Sequence, residues 1–334
     1  MGDSQLGKVM KRFLITGASS GIGLEAARLL ACAGHELTLL CRSQERCEQT
    51  RQHLLAAGAD ASRIVCHAVD LADLFSVERV CQQLLAQGQA LDGLVLNAGQ
   101  QRAGATAPVF SAQGIEITFA VNQLAHQWIA TRLLPLLRAG EQPRLVITAS
   151  DVHDPATGGG RVGQPADLGD LAGLRSGAGF VMLDGSERFD GDKAYKDSKL
   201  CNVLLGRELA RQLEGVMPVI AWSPGLVIPR CQEGFFRYNR QSNPVGMALF
   251  AAVARDLLRV TESVQTAGRL LAALTTEADY GTPGFSYWSN RLVRPGLHRF
   301  EAKATSPAGA DLQQAAELWQ CSEALLGELL RSAA

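Results

Sequence analysis

Tyr195 and Lys199 lie four positions apart in the run Phe189-Asp190-Gly191-Asp192-Lys193-Ala194-Tyr195-Lys196-Asp197-Ser198-Lys199-Leu200-Cys201-Asn202. Read as a helix, this spacing puts a phenol and an ammonium on one face, one turn apart. A cation beside a phenol favours the phenolate. The pair therefore predicts a Tyr whose pKa, about 10 in isolation, is pulled towards neutrality so that it gives or takes a proton. The same spacing also describes a solvated Lys beside a half-buried Tyr, and only the rest of the chain separates the two readings. Two more polar residues are candidates to join the pair. Asn122 lies inside a mostly apolar segment predicted helical over 114–137, where Asn is a poor choice unless its carboxamide bonds to a water near Lys199 or to nearby backbone. Ser150 follows a predicted strand over 143–148, and the carboxyl ends of strands are where open α/β sheets place their chemistry.

The elements that must carry these residues begin with a short apolar run, Arg12–Thr16, which ends in Gly17-Ala18-Ser19-Ser20-Gly21-Ile22-Gly23 and leads into an amphipathic run over 24–33. This is strand, glycine turn and helix. Gly17 permits the tight turn, Gly21 lets backbone approach a pyrophosphate, and Gly23 lets the helix sit close to the strand. Ser19, Ser20 and Ile22 complete a predicted cradle at the helix N-terminus. Arg42 follows the second strand, Glu36–Cys41; a cation there suits the 2'-phosphate of NADPH, while the plainer reading is a surface Arg in a loop shared with Arg46. Asp70-Leu71 ends a third strand over 63–69, and Asp70 would either accept from an adenine amino group or cap the helix beginning near Leu74. After a fourth strand over 91–96, Asn97-Ala98-Gly99 are small residues against which a flat ring can lie. A sixth strand over 217–222 leads to Ser223-Pro224-Gly225.

The alternation of strands and helices with short connections predicts a doubly wound parallel sheet, an α/β Rossmann-type fold, as one domain over 1–334. Residues 151–192 are rich in Gly and Asp and read as a long active-site loop above the strand ends. Residues 226–262 read as a small helical, lid-like insertion. Its amphipathic segment, 244–258, is either a lid or lipid-facing surface or an ordinary packed helix. A helix over 261–275, a last strand over 285–289 and a closing helix over 311–331 complete the expected order.

The 334 residues are 47% hydrophobic with a formal net charge of -1, which argues against a nucleic-acid partner and leaves a small molecule in a local pocket. The eight Cys residues are scattered, with no Cys-x-x-Cys pair and no Cys/His cluster at zinc spacing. They read as reduced, apolar-packing thiols, and no metal is expected. No apolar leader precedes Arg12 and the longest apolar run, 245–254, is too short for a membrane span, so a cytoplasmic location is expected. Peripheral contact with a membrane and self-association stay open.

Thr16-Gly17-x-x-x-Gly21-x-Gly23, Asn97-Ala98-Gly99, Asn122, Ser150, Tyr195-x-x-x-Lys199 and Pro224-Gly225, in this order, resemble the short-chain dehydrogenase/reductase family. The resemblance implies that Tyr195 donates a proton, Lys199 lowers its pKa and bonds the nicotinamide ribose, Ser150 holds substrate and Asn122 supports a relay water. It also implies cofactor contacts from the glycine turn, Asn97, Ala98, Gly99, Pro224 and Gly225. Within the family the chain is most similar to the light-dependent protochlorophyllide oxidoreductases. The matching pieces are Leu168-Gly169-Asp170-Leu171, the run Phe189 to Asn202, Tyr287-Trp288-Ser289 and Trp319-x-x-Ser322-Glu323-x-Leu325-x-Gly327. Cys41-Arg42 is similar to that branch's NADPH signature. Leu226 stands where the branch usually carries Cys, and the nearest thiol is Cys231. The resemblance implies NADPH-dependent reduction of ring D of a tetrapyrrole pigment. A dark carbonyl or retinol-type reductase, and a non-catalytic pigment or NADPH sensor, are the alternatives on the same scaffold.

Overall fold

The computed structural model describes residues 10–230 and 234–331. Cys231 lies outside the described residues. Eight strands form one sheet: β1 Arg12–Thr16, β2 Glu36–Cys41, β3 Ile64–Ala68, β4 Gly93–Leu96, β5 Arg144–Thr148, β6 Pro218–Ser223, β7 Gly284–Arg294 and β8 Leu297–Ala302. Their order across the sheet is β3-β2-β1-β4-β5-β6-β7-β8. The first seven run parallel, and β8 returns antiparallel on β7.

Strand alternation sends Phe13 and Ile15 to one face and Leu14 to the other, and both faces are covered by helices. On the Phe13 face lie Gly21–Cys32, Gln44–Ala56 and Val264–Thr276; on the Leu14 face lie Leu74–Gln87, Ala125–Arg138 and Gly191–Gln212. With both faces buried, the central strands carry unbroken apolar runs rather than an in-out pattern. The expected doubly wound sheet is present, with an antiparallel edge strand that had not been expected.

Three other expectations change. The helix after β3 is capped by Asp73, whose carboxylate accepts from Phe75 N at 3.1 Å, so the capping role does not fall to Asp70. The segment 114–137 is interrupted: Ile117–Phe119 passes through a π-helical turn, Ala120–Leu124, before Ala125–Arg138 resumes the α-helix. The segment 244–258 forms Pro244–Ala251 and a π-helical continuation, Ala252–Leu257. It packs along one face, against Ile228 and Phe236. Met247, Ala251 and Ala254 are buried, while Val245 and Leu257 are 79% and 73% exposed and Leu249, Phe250, Val253 and Leu258 are exposed with them. Among the described residues no helix is long and apolar enough to cross a membrane.

The loop over 151–192 contains one 3-10 turn, Asp151–His153, and one short helix, Ala172–Arg175. Two lysines of the next helix hold it. Lys193 Nζ pairs with Asp197 at 2.7 Å and Asp184 at 3.1 Å and donates to the Asp167 carbonyl at 2.5 Å. Lys196 Nζ donates to the carbonyls of Gly160 (3.3 Å), Val162 and Gln164 (2.7 Å). A loop without ladder hydrogen bonds of its own is thus tied by buried ammonium groups.

Candidate active site

The carboxyl ends of four neighbouring strands are laced together by side chains. Thr16 Oγ1, at the end of β1, accepts from Asn97 N at 2.9 Å and Ala98 N at 3.0 Å and lies 3.0 Å from His126 Nε2. His126 Nδ1 is 3.1 Å from the Asn122 carbonyl, which only accepts, so Nδ1 carries the proton and Nε2 receives the Thr16 hydroxyl. Burial drives the His126 pKa down to about 3, which keeps the ring neutral. Asn97 Nδ2 donates to Thr16 O at 3.2 Å, Thr148 Oγ1 to Asn97 Oδ1 at 3.2 Å, and Trp222 Nε1 to Thr148 Oγ1 at 3.0 Å. The web fixes where β1, β4, β5 and β6 end.

The glycine turn rests on this web. A Cβ on Gly17, whose φ is +68°, would meet Ala98 Cα at 2.7 Å, and one on Gly23 would meet Gly17 O at 2.4 Å and Asn97 Nδ2 at 2.5 Å. Any side chain there pushes the helix off the strand. Gly21–Cys32 starts without an acidic residue in its first turn, and the Ser20 side chain makes no capping bond, so its leading N–H groups are open to an anion. Ser19, Ser20, Gly21 and Ile22 are all half-buried along this rim.

Tyr195, Lys199 and Ser150 come together as expected. The helix that presents them, Gly191–Gln212, is started by Asp190, whose carboxylate accepts from Asp192 N and Lys193 N. Ser150 lies beside the Tyr195 phenol, close enough to lower its pKa, and the Lys199 ammonium lies 5.8 Å from the Tyr195 ring centroid. The electrostatics differ from the expectation. Lys199 Nζ turns to the Thr148 carbonyl (2.8 Å) and Asn202 Oδ1 (3.1 Å), and burial pushes the phenol up, with neighbouring Ser150 offsetting only part of it. Burial meanwhile lowers Lys199 to about 7.

Asn122 bonds backbone rather than reaching Lys199. Its Oδ1 accepts from Gln100 N at 2.8 Å and its Nδ2 donates to Gln100 O at 2.9 Å and Ser198 Oγ at 3.0 Å, which clamps the loop after β4. The link to Lys199 is made by Asn202, whose Oδ1 accepts from the ammonium while its Nδ2 donates to the Asn122 carbonyl at 2.7 Å. A carboxamide thus stands where a relay water was expected. Asn202 was noticed in the sequence only as part of a resemblance; its position three residues after Lys199, on the same helix face, was the available signal.

The remaining predicted residues fall around this centre. Gly99 lies under the Lys199 ammonium, a Cβ there reaching within 3.6 Å of Nζ. Pro224 and Gly225 follow β6, held by Asn290 Nδ2 on the Pro224 carbonyl at 3.3 Å. Arg42 is exposed at the end of β2. Asp70 is exposed in the turn after β3 and accepts from Ala72 N at 3.0 Å, whereas Leu71 is buried in the core and offers a ligand only its backbone. Two residues were missed. Asp151 accepts from Tyr287 OH (2.8 Å) and Ser289 Oγ (2.6 Å), anchoring the Ser150 turn to β7. Phe235, beyond β6, packs edge-on against Tyr195 at 5.4 Å, and a Cβ on neighbouring Gly234 would lie 2.7 Å from Ser20 Oγ, so this segment reaches over the cleft.

Residues 11–159 match the family model described as short chain dehydrogenase. The protochlorophyllide reductase of Avena sativa is 36% identical over 325 residues, covering 94% of this chain and 99% of its own. The chain belongs to the short-chain dehydrogenase/reductase family. It is an oxidoreductase of that family, closely related to protochlorophyllide reductases: the chloroplastic reductase A of Oryza sativa subsp. japonica is 35% identical over 94% of this chain and 80% of its own, and the chloroplastic enzyme of Chlamydomonas reinhardtii 33% identical over 94% and 77%. Solved short-chain folds superpose at lower identity. A Pseudomonas aeruginosa RhlG/NADP complex gives a TM-score of 0.61 at 22% identity over 86% of this chain and 95% of that one. An alcohol dehydrogenase from Thermococcus sibiricus, complexed with 5-hydroxy-NADP, gives 0.55 at 20% over 88% and 100%.

The expected cytoplasmic location is overturned by these relatives, since the rice, wheat and barley reductases are chloroplastic. Hydropathy bears on secretion and does not separate cytoplasm from plastid, since plastid-directed segments are amphipathic and rich in Arg and Ser rather than apolar.

Proposed function

We propose that this reductase reduces the ring D double bond of protochlorophyllide to chlorophyllide, with Tyr195 as the proton donor and Lys199 and Ser150 holding it in place. The observation that carries the reading is the meeting of Tyr195, Ser150 and Lys199 at the strand ends beside the glycine turn, in a chain related to protochlorophyllide reductases over nearly its whole length. The cofactor is NADPH, and the residues present fit it. The Gly21–Cys32 N-terminus is open, a Cβ on Gly21 would face open space, and Arg42 stands at the end of β2 for a 2'-phosphate. Bound there, NADPH supplies the hydride.

The chain's own residues handle the proton. A phenol raised by burial stays protonated throughout the neutral range, which is the state a donor requires. Two of the three Lys199 N–H groups are engaged by Thr148 and Asn202, leaving the third for a ribose hydroxyl and the ammonium charge to favour the phenolate left behind. Phe235 must shift for a macrocycle to reach the phenol.

The pH dependence follows from Lys199. Its charge is present below about pH 7 and lost above it, so kcat/KM is expected to fall above that value as the free enzyme deprotonates. Asn202→Asp places a carboxylate on the ammonium and is expected to move this limb upward by about 1–3 pH units, the effect of an opposite charge at such distances. Asn202→Ala is expected to move it the other way. A pH profile identical in all three proteins would remove Asn202 from this role.

The reaction itself is tested by mixing the purified protein with NADPH and protochlorophyllide and comparing illuminated with dark samples. Red-shifted chlorophyllide absorption after illumination is the expected result. Leu226 favours a second reading, a light-independent carbonyl reductase: it is 38% exposed beside the cleft and offers no thiol. That reading wins if neither sample changes while aldehydes or ketones consume NADPH in the dark.

A further inference from the structure

Cys41, Cys47 and Cys66 are separated by 6 and 19 positions (47 minus 41, 66 minus 47), a spacing that says nothing in the sequence. The fold brings their Sγ atoms within 4.8 Å of one another. Each comes from a different element: Cys41 closes β2, Cys47 lies in the first turn of Gln44–Ala56, and Cys66 is in the middle of β3. Cys41 and Cys47 are buried, while Cys66 is half-buried on the outermost strand, which leaves a way in from solvent. Thr50 Oγ1 lies 3.8 Å from Cys41 Sγ, and its proton is committed to the Arg46 carbonyl at 2.7 Å, so its lone pairs remain available on the cluster's side.

We propose that these three cysteines form a structural site for one thiophilic d10 cation, with Zn2+ as the ion of that class, bound by three thiolates and completed by water or the Thr50 hydroxyl. Zn–S bonds of ~2.3 Å place tetrahedral sulfurs ~3.8 Å apart, so the observed cluster needs to close by about 1 Å. An all-sulfur donor set without carboxylate or imidazole excludes Ca2+ and Mg2+. Binding releases the thiol protons to solvent. Because those protons leave as the metal binds, affinity rises with pH. The ion would join β2, β3 and the helix between them, adding to the parallel ladder and apolar packing already there.

The test uses the full-length protein, reduced with a phosphine and dialysed against ZnCl2 alone, with bound zinc counted by elemental analysis. Ultraviolet sulfur-to-metal absorption with Cd2+ reports thiolate ligation. Wild type is expected to hold one equivalent and to melt at a higher temperature with zinc than without it. Cys47→Ser and Cys66→Ser are expected to lose the site by at least about a hundredfold in affinity, and Cys32→Ser, an exposed thiol outside the cluster, is expected to keep it. Should Cys47→Ser fail to fold, Cys66→Ser on the half-exposed edge decides, its fold checked by circular dichroism. Wild type that takes up no stoichiometric zinc, or Cys66→Ser that binds as well as wild type, overturns the proposal.

Discussion

Tyr195→Phe is expected to lower turnover by about 10²–10⁴-fold while NADPH affinity stays near wild type. The substitution removes one oxygen and keeps the ring, so the edge-on contact with Phe235 and the helix position survive. It removes a hydroxyl that lies between Ser150 and the Lys199 ammonium. Because the predicted cofactor contacts at the glycine turn, Arg42 and Lys199 are untouched, the loss should appear in the chemical step and leave binding alone. Single-turnover absorption after a light pulse, paired with NADPH titration by fluorescence, separates the two. An unchanged rate would falsify Tyr195 as the donor, and a parallel loss of NADPH affinity would make it a binding residue.

The second large effect belongs to Lys193. Lys193→Met leaves Asp197, whose side chain is 0% exposed, without its 2.7 Å partner, and removes the ammonium that also holds Asp184 and the Asp167 carbonyl. Breaking a buried pair from one side costs about 3–5 kcal/mol because the surviving charge has no solvent to turn to. Denaturant unfolding should show this loss, and limited proteolysis should cut within 151–192 sooner. Lys193→Met combined with Asp197→Leu should recover much of the stability, since replacing both charges removes the desolvation penalty. A double variant no better than the single one would show that the loop, rather than the charge, carries the cost.

The sheet was largely readable from the sequence because its central strands, β1, β4, β5 and β6, are short, buried on both faces and punctuated by Gly, Asn or Pro. β1 to β7 each fall within a few residues of the expected start. β8 was not readable. Leu297–Ala302 alternates half-buried and exposed side chains with two charged residues, Arg299 and Glu301, the composition of an edge that a sequence reader takes for loop. The meeting of Tyr195 and Lys199 was readable because four residues on a helix is local geometry. What surrounds it was not. Asn202 earns its place through an acceptor eighty residues earlier, and Thr16 through partners just after β4 and on the Ala125–Arg138 helix. The direction of the Tyr195 shift was misjudged because charge proximity shows in a sequence and desolvation does not.

One feature of the long helix beneath the site limits how this family member can vary. The turn Ala120–Leu124 accommodates an added residue, and this is what frees the Asn122 carbonyl to meet both Asn202 and His126. Deleting a single codon there would let the coil close regularly but would rotate everything after it by about 100°. His126 would swing away from Thr16, and Gln127 away from Glu323, to which it donates at 2.8 Å. Length drift is therefore harmless at the rim of the molecule and ruinous within these five residues.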